Sequence, residues 1–120
     1  MSLRKDLYKI DIDTDISLLV FHKDIISVGF GPAISLYIND VEFFKFDCFG
    51  PEKGHYHILD GDRIFFSEKS VIDQIARSIT DLNDIIKKYY IDTELLTNKL
   101  SEAQRIMVEY ETTYYEKLRR

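Results

Sequence analysis

Apolar residues change their spacing near Ser67. Before it they come in short runs: Ile16–Phe21, Ile25–Phe30, Ala33–Ile38, Val41–Phe49, His55–Leu59 and Arg63–Phe66. The separators are His22-Lys23-Asp24, Gly31-Pro32, Asn39-Asp40, Gly50–Gly54 and Asp60-Gly61-Asp62. Short runs between turn-forming residues predict an antiparallel meander of five or six strands over about residues 7–66. After Ser67, apolar residues recur every three or four positions: Ile72, Ile75, Ile79, Leu82, Ile86 and Tyr89, then Leu96, Leu100, Ala103, Met107, Tyr110 and Tyr114. That spacing lays one face along a helix. It predicts helices over about 68–90 and 94–118, with Ser67 as the first N-cap and Asp92 or Thr93 as the second.

Both stripes share one heptad phase from Ile72 to Tyr114, with Thr93 as the one polar member. A single unbroken helix is therefore the alternative. Val71, Ile85, Leu95 and Ile106 widen the apolar face, however, and a wide face requires more than one neighbour. The reading adopted is a two-helix hairpin covering one face of the sheet.

Strand alternation sorts the first half into two faces. Ile26, Val28, Phe30, Ile34, Leu36, Ile38, Phe44, Phe46, Cys48, Tyr56, Ile58, Ile64 and Phe66 fall on an apolar face. Ser27, Ser35, Tyr37, Lys45, Asp47, His55, His57 and Arg63 fall on the other. One conflict arises at Asn39-Asp40. A two-residue turn there would swap the faces of the following strand, so the apolar pattern asks for one more residue in that loop.

Composition marks the same boundary. All eight Phe, five Gly, two Pro, three His and the single Cys lie in residues 1–66, and residues 67–120 contain none of these types. The expected architecture is α+β, one domain over 1–120, β-rich over residues 1–67 and helical over residues 68–120.

The chain is acidic, with net charge −5. Residues 1–66 carry 7 basic against 11 acidic side chains, and 67–120 carry 9 against 10. Neither half has the basic excess that nucleic-acid or anionic-membrane binding needs, so neither partner is expected. No apolar stretch reaches membrane-span length, no signal peptide is visible, and one cysteine excludes an internal disulfide framework. The expected compartment is the cytoplasm.

Asp11, Asp13 and Asp15 have the spacing that opens a calcium loop, but Ile16 stands where that loop needs Gly and His22 where it needs Glu. They read instead as outward carboxylates that protect an edge strand. The denser chemistry lies at Asp47-Cys48-Phe49-Gly50-Pro51-Glu52-Lys53-Gly54-His55-Tyr56-His57. If Gly50–Gly54 is a five-residue hairpin loop, Phe49 sits opposite His55 and Asp47 opposite His57. His55 and His57 then share a face. Two neutral imidazoles with a cross-strand carboxylate can hold a divalent metal, or Asp47 and His57 can form an acid/base pair. Residues Gly50–His57 resemble the first metal motif of cupins, which also places His-x-His after a Gly-rich turn. The motif's following Glu is missing, and no second motif fits before the helices, so cupin chemistry does not follow. Cys48 falls on the Phe44/Phe46 face and reads as a small buried hydrophobe.

No nucleophile elbow, phosphate-binding loop, dinucleotide fingerprint or zincin motif is present. The leading expectation is a small intracellular interaction or accessory domain without catalysis or cofactor. It would form a homodimer through its helical half, with Ile106, Met107, Tyr110 and Tyr114 at the interface, or bind another protein. The alternative is a metal- or ligand-binding protein, or an acid/base enzyme, built on Asp47, His55 and His57.

Overall fold

The computed structural model describes residues 3–89 and 92–119. Six antiparallel strands lie side by side in chain order: β1 (Lys5–Asp13), β2 (Ile16–Ile25), β3 (Gly29–Ile38), β4 (Val41–Asp47), β5 (His55–Ile58) and β6 (Ile64–Phe65). Helices α1 (Val71–Ile86) and α2 (Thr93–Tyr110) follow. The chain then continues through a π-helical turn, Glu111–Tyr115, and a 3-10 turn, Glu116–Arg119. This is the α+β meander with two covering helices that the apolar periods predict.

The first hairpins differ from the expectation. β2 runs through His22-Lys23-Asp24 and β3 through Gly31-Pro32, both of which had the composition of turns. The real reversal lies inside the Ile25–Phe30 run, where Val28 N–H donates to the Ile25 carbonyl at 3.0 Å and Ser27 has φ 68°. Ile26 is exposed there, so it and Val28 are not part of the sheet's apolar face. The polar triplet stays in the strand because two of its members find buried partners. His22 lies 2.6 Å from the Tyr115 hydroxyl, and Lys23 lies 3.1 Å from Asp47.

The conflict at Asn39-Asp40 is resolved by a bulge. The turn has only two residues, at φ 51° and 64°, as a primed hairpin turn requires. Ile38 pairs with Val41, but the register shifts between Tyr37↔Glu42 and Leu36↔Phe44, which leaves Phe43 as the extra residue. A one-residue bulge exchanges the faces of everything beyond it, and this one returns Phe44 and Phe46 to the apolar side.

That side forms the core. Leu18, Val20, Ile34, Leu36, Phe46 and Cys48 meet Val71, Ile75, Leu82 and Ile86 of α1 and Leu96, Leu100, Ala103 and Met107 of α2. Ser70, not Ser67, caps α1, accepting from Asp73 N–H at 3.0 Å. The α-helical stretch ends at Ile86 and a turn covers 87–89; the expected helix end, Tyr90, lies outside the described residues. Asp92 caps α2 by accepting from Leu95 N–H at 3.0 Å. The helices are therefore separate. Among the described residues, no helix is long and apolar enough to cross a membrane.

Candidate metal centre

Asp47 closes β4 and His55 opens β5. The ladder sets Asp47 opposite His55 and Lys45 opposite His57. This corrects the expected pairing of Asp47 with His57 and Phe49 with His55. The connection is seven residues long, 48–54, because the chain leaves the ladder directly after Asp47. Phe49 N–H turns back to the Asp47 carbonyl at 3.1 Å, Gly50 takes φ 92°, and Gly54 N–H closes on the Gly50 carbonyl at 2.9 Å. The shift is an even number of residues, so Asp47, His55 and His57 remain on one face. That face is the one turned away from the helices.

The three side chains converge. One ligand atom from each lies within 4.8 Å of the other two. His55 Nε2 is 3.1 Å from Asp47 Oδ2, and both residues are buried, at 2% and 1% exposure. His55 Nδ1 is 2.9 Å from the Lys53 carbonyl, and His57 Nδ1 is 2.9 Å from the Gly61 carbonyl. A carbonyl can only accept, so each Nδ1 carries a proton and donates it. This leaves Nε2 of each ring to bind a cation, with the backbone carbonyl fixing tautomer and ring orientation as outer partners do in metal sites. The rings stand edge to face, their centroids 5.0 Å apart.

A fourth residue joins them that the sequence reading missed. Lys23, 1% exposed, enters from β2 and places Nζ 3.1 Å from Asp47 Oδ1. The approach is too oblique for a hydrogen bond, so Oδ1 has an ion partner but no hydrogen-bond donor. The rings of Phe21 and Phe49 lie 5.7 and 5.9 Å from Nζ. Burial pushes the Asp47 carboxyl up, but the His55 hydrogen bond and the Lys23 and His55 charges outweigh it, so the group sits below the usual carboxylate range. Burial pushes the Lys23 ammonium down, and the attraction of Asp47 offsets this only in part. The signal available in the sequence was parity, since Lys23 alternates with Leu19 and Phe21 on one strand face.

The connecting loop is held from beneath by Gln74 of α1, which is also buried. Its Oε1 accepts from Gly50 N–H at 3.0 Å and its Nε2 donates to the Gly50 carbonyl at 2.8 Å. A Cβ at Gly54 would lie 2.0 Å from Gln74 Oε1, so this glycine is required for close approach rather than for φ. Cys48 points the other way, into the core, with Sγ 3.5 Å from Ser78 Oγ. Burial pushes its thiol up to about 12, so it stays protonated, and its side chain is wholly enclosed.

The expected interface residues divide. Ile106 and Met107, 7% and 0% exposed, are part of the chain's own core and not of an outward surface. Tyr110 is half-buried and donates its hydroxyl to the Asp6 carbonyl at 2.5 Å. Tyr114 is 45% exposed and stacks on His22 at 4.4 Å.

Comparison of the chain with protein-family models, with curated proteins and with solved structures gives no match, so the site rests on its own geometry.

Proposed function

We propose that this protein binds a divalent transition-metal ion through Asp47, His55 and His57. The observation that carries the reading is the convergence of one carboxylate and two imidazoles within 4.8 Å on one sheet face. Both rings are already oriented by backbone carbonyls. Two nitrogens and one oxygen suit Zn²⁺, Fe²⁺ or Mn²⁺, and three protein ligands leave a position for water or a small ligand. An ion there would polarise an oxygen bound at that position. Lys23 Nζ, 3.1 Å from Oδ1, supplies positive charge beside the buried carboxylate. A reducing compartment, the cytoplasm, suits the free buried Cys48.

The test is elemental analysis of untagged protein together with Zn²⁺ titration calorimetry. The reading requires one equivalent of metal, abolished in His57→Ala and weakened in Asp47→Asn. Untagged protein that neither retains nor takes up metal rejects it.

A homodimer through the helical half, or capture of another protein there, is the second reading. It is supported by the exposure of Tyr114 and Leu118 at one end of that half. Light scattering tests it, since a monomer at every concentration excludes the dimer.

A further inference from the structure

Arg119 lies in the last helical turn, yet its guanidinium reaches back across the fold to the loop that joins Asp47 to His55. Nη1 donates to the Phe49 carbonyl at 2.8 Å and Nη2 to the Phe30 carbonyl at 2.7 Å. Nε and Nη2 also donate to the two carboxylate oxygens of the buried Glu111, at 2.7 and 2.9 Å. The planar fork is thus filled on three sides, and it lies over the Phe30 ring at 4.6 Å.

The sheet is shaped around it. Gly31, at φ 151°, is a position where a Cβ would stand 2.7 Å from Arg119 Nη2 and 2.5 Å from the Cys48 carbonyl. At Gly50 a Cβ would stand 3.2 Å from Nη1. Two glycines thus keep open the slot that the guanidinium occupies.

What Arg119 holds bears directly on the site. The carbonyl it grips belongs to Phe49, two residues after Asp47. The ring of Phe49 meets His55 edge-on at 5.7 Å and lies beside the Lys23 ammonium. Phe49 is thus fixed at its carbonyl by the C-terminal turn and at its ring by the two partners of Asp47. Gln74 fixes the next residue, Gly50, from α1.

We infer that Arg119 is a positioning residue for the metal centre: by holding the Phe49 carbonyl it fixes the 48–54 loop, and with it the Phe49 ring that packs against His55 and Lys23. This rests on the metal reading above. Arg119 touches no ligand atom and acts through Phe49. Because the grip comes from the final turn, any event that lifts that turn loosens the site.

The decisive variant is Arg119→Lys, which keeps the charge beside Glu111 but cannot reach Glu111, Phe30 and Phe49 together. Zn²⁺ affinity and the visible spectrum of Co²⁺-loaded protein are measured against wild type, with the exposed Lys117→Ala as a control. The expected result is a folded protein that binds Zn²⁺ about 10-fold more weakly, as loss of an outer partner does. Its Co²⁺ band should shift, while Lys117→Ala matches wild type. A folded Arg119→Lys with wild-type affinity and spectrum overturns the inference. If that variant does not fold, Glu111→Gln, which weakens the same clamp, is read by the same two criteria. If wild type takes no metal, the metal reading fails by itself. Amide exchange at Gly50, Lys53 and Gly54 then decides the positioning claim: acceleration in Arg119→Lys upholds it, and unchanged exchange overturns it.

Discussion

Asp47→Ala removes the one carboxylate between two buried basic groups. Lys23 and His55 are 1% and 2% exposed, so neither can turn to water without opening the sheet face. Removing one partner of a buried ion pair leaves an uncompensated charge, a loss of about 3–5 kcal/mol. Unfolding entropy is about 2.1 cal/mol/K per residue, so for a 120-residue chain each kcal/mol moves Tm by about 4 °C. The expected fall in Tm is therefore about 12–20 °C at pH 7, read by circular dichroism and checked by urea unfolding. The diagnostic step is the double variant Lys23→Met/Asp47→Ala. It removes the Lys23 and Asp47 charges together, puts an apolar chain of similar length in place of the lysine, and leaves His55 its hydrogen bond to the Lys53 carbonyl; replacing such an ion pair by apolar groups is often neutral in net effect. Its stability should return to within about 1–2 kcal/mol of wild type. The reasoning is refuted if Asp47→Ala loses less than about 1 kcal/mol, the size of an exposed pair. It is refuted equally if the double variant is no more stable than the single one.

The same pair makes stability depend on pH at both ends. The Asp47 carboxyl is held below 3.8 in the folded chain, so its contribution is present above that value and is lost as acid carries the pH through the lower folded pKa. Acid unfolding of Asp47→Asn should lack that limb. The Lys23 ammonium is held below 10.5, so in the window just beneath 10.5 the unfolded chain binds more protons and stability rises with pH. Lys23→Met should flatten that rise. Met107→Ala should lower stability by about 2–5 kcal/mol by leaving a core cavity, while light scattering reports an unchanged oligomeric state, because the side chain is inside. A stable variant with an altered oligomeric state would return Met107 to an interface.

Much of the architecture is legible in the sequence because periodicity is local. Ile34, Leu36 and Phe46 alternate, Ile75, Leu82 and Ile86 recur by threes and fours, and each pattern has one apolar face to bury. Parity also carried the candidate site. The loop after Asp47 is two residues longer than its glycines suggested, yet an even error leaves Asp47, His55 and His57 on one face, and only the cross-strand partner changes.

Where polarity was the guide, the sequence misleads. His22-Lys23-Asp24 has the composition of a turn, but Lys23 is matched by a carboxylate 24 positions away and His22 by a hydroxyl 93 away, so the strand continues through them. Ser67 and Ser70 are equally good caps by residue type, yet α1 starts from Ser70, with Gln74 one turn further on beneath Gly50. Arg119 carries no local sign that it belongs at the site. Sequence alone therefore determined that a meander of strands precedes two helices and which face most of them present, because those follow from nearest-neighbour geometry. Tertiary structure decided which charged side chains go inside, because a buried ion is tolerable only where a partner from a distant stretch of the chain meets it.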